Sequence, residues 1–165
     1  MSIVRKLGSI LLDIVIVLLV LLLIMNIFFI TDVTNDRIPS LFGYKFMVDL
    51  TDSMEPEIDA GDLIIIKEKK DYNKNDIISY RNSKHEIITH RIVEKTKNGY
   101  YLKGDNNSKL DEGVVNNENI EGKLVLTIHK LGLFCLFLQS IYGIIFLIVI
   151  VICYVVFLII KEKYF

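Results

Sequence analysis

Apolar residues follow two different patterns along this chain of 165 residues. Near the two ends, residues 7–30 and 141–160 are almost uninterrupted apolar runs. Each run exceeds the roughly 18 residues that a helix needs to cross a bilayer core about 30 Å thick. The pattern therefore predicts two transmembrane helices, with a polar segment of about 100 residues between them.

In the segment between the runs, short apolar stretches alternate with polar residues, which is typical of β-strands. Asn98-Gly99 is a strong hairpin signal, and other turn residues separate the remaining stretches. Six strands are predicted, near residues 42–50, 63–67, 76–80, 86–93, 100–103 and 120–128. This pattern favours a mainly β fold, a small antiparallel barrel-like domain.

The chain is thus expected to have three parts. Residues 1–30 would form a cytoplasmic stub and an N-terminal anchor, uncleaved because the apolar run is too long for a signal peptide and no small-residue cleavage site follows it. Residues 31–130 would form the extracytoplasmic domain, and residues 131–165 a C-terminal transmembrane helix with a short tail. Residues 131–139 either begin that helix or form a separate interfacial piece.

Basic residues predict the orientation of the chain in the membrane. Arg5 and Lys6 precede the first apolar run, and Lys161 and Lys163 follow the second. Because cytoplasmic flanks carry the excess of Lys and Arg, both termini are expected in the cytoplasm of a two-span membrane protein, with the central domain outside.

Charge and cysteine content exclude several classes of protein. Residues 31–130 contain 15 Lys and Arg against 18 Asp and Glu, so no basic patch suits nucleic acid. In one continuous helix Cys135 and Cys153 would lie about 27 Å apart, too far for a disulfide. No Cys/His cluster has the spacing of a metal site. We expect neither a metal nor another cofactor.

Ser53 and His90 are the candidate catalytic pair. Ser53 follows the first predicted strand, and Pro56 favours a stiffened turn around it. A serine hydroxyl becomes a good nucleophile when a base takes its proton, and histidine is the usual base near neutral pH. His85 is a weaker candidate, because in one strand it would face away from His90. Taken singly, Ser53 is better explained as a turn serine and His90 as a strand histidine satisfied by its neighbours.

Several motifs together give the chain a family resemblance. They are Ser-Met-x-Pro at 53–56, Gly-Asp at 61–62, Thr-His-Arg-Ile-Val at 89–93, Lys-Gly-Asp-Asn-Asn at 103–107 and an aspartate at 111. From about residue 46 to residue 111 the chain resembles type I signal peptidases. It is most similar to the endoplasmic-reticulum-like branch of eukaryotes, archaea and some spore-forming Gram-positive bacteria. The usual bacterial branch has a lysine at the position of His90.

The resemblance implies a membrane-bound serine endopeptidase that removes signal peptides from secreted proteins after small, Ala-x-Ala-like residues. By motif position, Ser53 corresponds to the nucleophile, His90 to the base and Asp111 to the aspartate that orients the base. Asp105 matches the second acidic position and is the secondary candidate. The implied partners are secretory preproteins and membrane lipid, with the translocation machinery as a further candidate.

One position departs from the family pattern. Where the family commonly has Ser-Gly-Ser, this chain has Thr51-Asp52-Ser53. Thr51 would supply a hydroxyl to an oxyanion hole beside the Ser53 backbone N–H. Asp52 replaces a glycine, so the backbone is expected to differ, and its charge would oppose an oxyanion unless it points away.

Two other functions are compatible with the fold. The first is a catalytically inactive, membrane-anchored binding module, which the intact set of Ser53, His90 and Asp111 disfavours. The second is a different serine hydrolase on the same scaffold, such as a self-cleaving repressor. The two predicted spans and the absence of a DNA-binding half disfavour that alternative.

Overall fold

The computed structural model describes residues 10, 13–24, 26 and 37–164. Ile38–Leu136 forms one compact unit, and the described residues on either side of it belong to a second unit. The strands, and the residues singled out for catalysis, all lie in the first unit.

The first unit is built on one seven-stranded antiparallel sheet. Its strands are β1 Ser40–Leu41, β2 Tyr44–Val48, β3 Leu63–Lys67, β4 Ile77–Arg81, β5 Ile87–Thr96, β6 Gly99–Lys103 and β7 Ile120–Ile128. They are ordered β1-β2-β3-β7-β4-β5-β6 across the sheet. The predicted antiparallel, mainly β fold is confirmed, while closure of the sheet into a barrel stays a prediction.

The six predicted strands correspond to β2 through β7. The bounds of β3 and β7 agree with the prediction, and β5 runs three residues further, to Thr96. Thr96 pairs with Gly99, so the predicted hairpin is present and Lys97 and Asn98 form its turn. β1 was not predicted, because a strand of two residues is too short to show alternation.

The last strand is inserted in the middle of the sheet. β7 pairs with β3 through Leu63 and Ile128, and with β4 through Ile78 and Lys123. β2 and β5 are therefore four positions apart, which in a flat sheet would separate them by about 19 Å. Because residues of both strands line one groove, the sheet is strongly curved.

Two clusters of buried apolar residues support the sheet. One cluster is formed by Tyr72, Ile78, Tyr80, Ile92, Tyr100, Leu102, Val115 and Ile120. The other is formed by Met54, Ile58, Ile64 and Ile77, with Met47 and Leu124 packed against it. Since Met54 follows Ser53 directly, the second cluster holds the segment that carries the candidate nucleophile.

Three α-helices are described: α1 Asp13–Ile24, α2 Leu131–Gln139 and α3 Ile141–Tyr164. Among the described residues one helix, Ile141–Ile160, is long and apolar enough to cross a membrane. The first predicted span, 7–30, is described only at residues 10, 13–24 and 26, so the two-span arrangement stays a prediction.

Residues 131–139 are a separate helix and not the start of a longer one. Ser140 interrupts the helical chain, and its Oγ accepts the Gly143 N–H at 3.1 Å, an N-cap for α3.

Cys135 in α2 and Cys153 in α3 are both free thiols, in agreement with the sequence.

Candidate active site

A tight turn after β2 carries Ser53. The Glu55 N–H donates to the Asp52 carbonyl at 3.3 Å, and the Ile58 N–H donates to the Met54 carbonyl at 3.1 Å. The Met54 side chain is fully buried in the core beneath the turn. Ser53 itself is half-buried, so its hydroxyl is reachable from outside while its backbone is held from within.

His90 lies between Ser53 and Asp111. Its Nε2 is 3.2 Å from Ser53 Oγ, and its Nδ1 is 2.6 Å from Asp111 Oδ2. Because a carboxylate only accepts, the Nδ1–H donates to Asp111 and the lone pair of Nε2 faces Ser53. This geometry can pass a proton from the serine hydroxyl to the imidazole.

The far end of this hydrogen-bond chain is buried and has a second donor. The Asp111 side chain is 13% exposed, and its Oδ2 also accepts the Tyr80 hydroxyl at 2.8 Å. Burial raises the pKa of Tyr80, and the hydrogen bond to Asp111 raises it further. Tyr80 therefore stays a neutral donor, and it fixes the carboxylate that faces the imidazole. None of the sequence motifs singled out Tyr80.

Asp105 does not contact His90. Its carboxylate is held by Arg91, whose Nε and Nη2 lie 2.8 and 2.6 Å from the two carboxylate oxygens. The hydrogen bond to Asp105 raises the pKa of Arg91, which remains charged. Of the two predicted aspartates, Asp111 lies against the imidazole and Asp105 forms a separate ion pair.

Thr51 is beside the nucleophile but is already engaged. Its Oγ1 lies 3.1 Å from Ser53 Oγ and donates to Asp49 Oδ1 at 3.1 Å, and its N–H donates to the same oxygen at 3.0 Å. Asp49 is buried, and the sequence reasoning gave it no role. Its carboxylate competes with any oxyanion for the single hydroxyl hydrogen of Thr51.

The backbone of the nucleophile turn accommodates Asp52 without strain. Asp52 is exposed, and it is not among the residues with positive φ. The Ser53 N–H donates no hydrogen bond to any acceptor in the part of the chain that the structure describes. A backbone donor of the kind that an oxyanion hole needs is thus available at Ser53.

An open groove of about 740 Å³ runs past Ser53 and His90. Residues 47–51 line one side, and residues 86–90 line the other. β1 pairs with β2 only at Tyr44 and Lys45, and β6 pairs with β5 only from Arg91 onward. Along the groove, β2 is therefore paired only with β3 in the described chain, and β5 only with β4. Among the described residues, the other edge of each strand has no strand partner there.

The other two histidines are located away from Ser53. His85 is not in a strand but in the turn between β4 and β5, with a φ of 64°. The prediction that His85 and His90 share one strand, and therefore face opposite ways, was wrong on this point. His129 is exposed, and its Nδ1 lies 2.8 Å from the buried Asp62.

Asp59, Asp62 and His129 place possible metal ligands within 4.8 Å of one another. Asp62 already accepts hydrogen bonds from the Asp59 and Lys130 N–H groups as well as from His129. These contacts satisfy the carboxylate without an ion, and they join the start of β3 to the end of β7.

The sequence of this domain is similar to those of known peptidases. Residues 44–125, from the start of β2 into β7, match the Peptidase S24-like family. The chain is also 34% identical over 115 residues to signal peptidase I W of Bacillus subtilis (strain 168). The matched region covers 66% of this chain and 60% of that relative, so the chain spans about 60% of the relative's length. Over this region the chain is therefore similar to type I signal peptidases.

Proposed function

We propose that this protein is a membrane-bound signal peptidase, a serine endopeptidase that removes signal peptides from secretory preproteins. The observation that carries the proposal is the continuous hydrogen-bond chain from Ser53 through His90 to Asp111. This hydrogen-bond chain opens into a groove, and among the described residues the strand edges on both sides of that groove have no further strand partner.

In the proposed reaction, Ser53 Oγ attacks the scissile carbonyl carbon while His90 Nε2 accepts the hydroxyl proton. Asp111 stabilises the imidazolium and keeps Nδ1 protonated. The imidazolium then gives its proton to the leaving amine as the C–N bond breaks. Water hydrolyses the resulting ester, with His90 again accepting and returning the proton, and no metal takes part.

The proposed substrate is an extended peptide that pairs with the strand edges along the groove. Apolar side chains from both strands, among them Met47, Ile87 and Ile88, line that groove. Cleavage after small, Ala-x-Ala-like residues is part of the proposal. His90 occupies the position at which the usual bacterial branch has a lysine. This residue supports a place in the endoplasmic-reticulum-like branch of the family.

The proposed location is the cell membrane, with two spans, both termini in the cytoplasm and residues 31–130 outside. Ile141–Ile160 supports the second span, because 11% of its most apolar window is buried and the rest is free to face lipid. Membrane lipid and the translocation machinery are proposed partners. Protease added to intact spheroplasts should digest residues 31–130 and spare both tails, and protection of the central segment would contradict this topology.

The activity is tested by cleavage of a secretory precursor with membranes that contain the full chain or its Ser53→Ala variant at equal abundance. The intact chain should release the mature protein, and Ser53→Ala should not. A serine-reactive covalent probe separates this proposal from the binding-module alternative. Labelling at Ser53 supports the enzyme, whereas an unlabelled chain that still retains precursor would support the module.

A further inference from the structure

Asn106 contacts both peptide groups that flank Ser53. The backbone N–H of Asn106 donates to the Ser53 carbonyl at 2.9 Å. Its side-chain Nδ2 donates to the Asp52 carbonyl at 3.1 Å. One residue, more than 50 positions away in sequence, therefore holds the carbonyl before the candidate nucleophile and the carbonyl after it.

The contact with the Asp52 carbonyl also orients the Ser53 N–H. In a trans peptide the C=O and the N–H of one unit lie in one plane and point in opposite directions. The unit between Asp52 and Ser53 is trans, since the cis bond in this turn joins Glu55 and Pro56. A donor that fixes the Asp52 carbonyl thus fixes the direction of the Ser53 N–H, which has no acceptor among the described residues.

The segment that presents Asn106 is held firmly. Arg91 binds the carboxylate of the preceding residue, Asp105, through two guanidinium nitrogens. A Cβ on Gly104 would lie 2.5 Å from the Ser53 carbonyl oxygen, so glycine alone allows the segment to come this close. The Asn107 N–H closes the turn on the Gly104 carbonyl at 3.0 Å.

We propose that Asn106 is a positioning residue that holds the Ser53 N–H in place to stabilise the oxyanion. This inference rests on the proposed peptidase function and deepens it. The role is needed because Thr51, the other candidate donor, gives its hydroxyl hydrogen to Asp49. It also accounts for the asparagine in the Gly-Asp-Asn-Asn motif, to which the sequence reasoning assigned no chemistry.

The expected effect is smaller than the loss of an oxyanion donor itself. Removing such a donor costs about 10²- to 10³-fold in kcat, whereas Asn106 acts through the backbone. The Asp52 carbonyl also accepts the Glu55 N–H, though at a longer 3.3 Å. Without the Asn106 side chain we expect kcat to fall about tenfold, with KM nearly unchanged, because the contact matters most in the transition state.

The test uses the full chain in detergent, its Asn106→Ala and Asn106→Asp variants, and a precursor peptide as substrate. Asn106→Asp keeps the side-chain shape and the backbone donor, so it remains informative if Asn106→Ala folds poorly. Asn117→Ala is the matched control, because Asn117 Nδ2 donates to the Lys70 carbonyl, away from Ser53, in a contact of the same kind. Thermal melts accompany the kinetics.

A peptide boronic acid and the matching peptide amide separate positioning from general damage. The boronate forms a tetrahedral adduct on Ser53 that places an oxygen where the oxyanion develops, and the amide does not. Both Asn106 variants should bind the boronate about tenfold more weakly and the amide as the intact chain does.

Unchanged kcat in both folded variants, or an equal loss of boronate and amide binding, would overturn the role of Asn106. An intact chain that neither cleaves precursor nor reacts with the boronate would instead overturn the proposed function, and with it this inference.

Discussion

His90 and Arg91 are consecutive residues of β5, and each holds an aspartate from the segment that follows β6. His90 binds Asp111 with one ring nitrogen and keeps the other beside Ser53. Arg91 binds Asp105 with two nitrogens, and its third guanidinium nitrogen donates to the Asn75 carbonyl rather than to Ser53. Because neighbouring strand residues point to opposite faces, the two pairs lie on different sides of β5.

The two ion pairs differ because histidine and arginine side chains differ in how readily they release a proton. A histidine can lose and regain a proton near neutral pH, so its pair with Asp111 suits proton transfer. An arginine stays charged at all accessible pH values, so its pair with Asp105 suits a fixed anchor. We therefore expect Asp111 to act in the reaction and Asp105 to hold the segment that contacts the Ser53 turn.

The sharpest test of this comparison is His90→Ala, which should abolish cleavage of a secretory precursor. Removing the base of a serine–histidine unit usually costs several orders of magnitude in kcat, about 10⁴-fold or more. His85→Ala is the control, because His85 is exposed in a turn and should leave the rate nearly unchanged. Near-normal turnover by folded His90→Ala would mean that the base is another residue.

Asp111→Asn should have the next largest effect. The amide can hold the imidazole in the wrong tautomer, and the equivalent change in other serine–histidine–aspartate sites lowers kcat by about 10⁴-fold. The variant should still fold, since the amide fills the same space and the Tyr80 hydroxyl, which shares the Asp111 oxygen with His90, can accept from an amide nitrogen. Steady-state kinetics with a thermal melt at matched abundance check both statements.

Asp105→Asn should lower stability more than the rate. It weakens a charge-assisted, two-pronged contact with Arg91 that is partly exposed, which costs about 1–3 kcal/mol. We expect a lower melting temperature, and at permissive temperature a rate within about tenfold of the intact chain. A folded Asp105→Asn that is inactive, beside an active Asp111→Asn, would reverse the two assignments.

Tyr80→Phe tests the second donor to Asp111. The change removes one hydrogen bond to a carboxylate, worth about 1.5–3 kcal/mol, and leaves the ring in the core. A few-fold loss in kcat with little change in KM is expected, because the Asp111 carboxylate loses one of its two constraints. If the rate is unchanged while the melting temperature falls, Tyr80 is only a core residue.

The pair of Asp62 and His129 should matter for stability alone. Burial by itself would raise the pKa of Asp62, but hydrogen bonds from the Lys130 and Asp59 N–H groups and from His129 outweigh it and lower the pKa. In the unfolded chain the carboxyl of Asp62 has its ordinary pKa of about 4, and in the folded chain its pKa is lower. The ionised carboxylate therefore stabilises the fold fully above about pH 4. This stabilisation is lost as the pH falls through the lowered pKa. Melts from pH 7 to pH 3 should show this loss in the intact chain and less of it in Asp62→Asn.

Local patterns were sufficient to predict much of this protein. Alternation of apolar and polar residues located six of the seven strands, since the side-chain period of a strand is a property of the strand itself. The family resemblance, by motif position, singled out Ser53, His90 and Asp111, which lie within hydrogen-bond distance of one another in turn along the Ser53–His90–Asp111 chain. The one strand that was missed has two residues, too few for a period.

Contacts that depend on distant strands were decided only by the tertiary structure. The insertion of β7 between β3 and β4 curves the sheet and brings β2 and β5 to one groove, and no local signal encodes that order. The partners of Asp49, Tyr80, Arg91 and Asn106 follow from this arrangement. An aspartate or an asparagine has the same local preferences whether it binds a histidine, an arginine or a backbone carbonyl, so the choice among these partners rests on which chain segment packs against it.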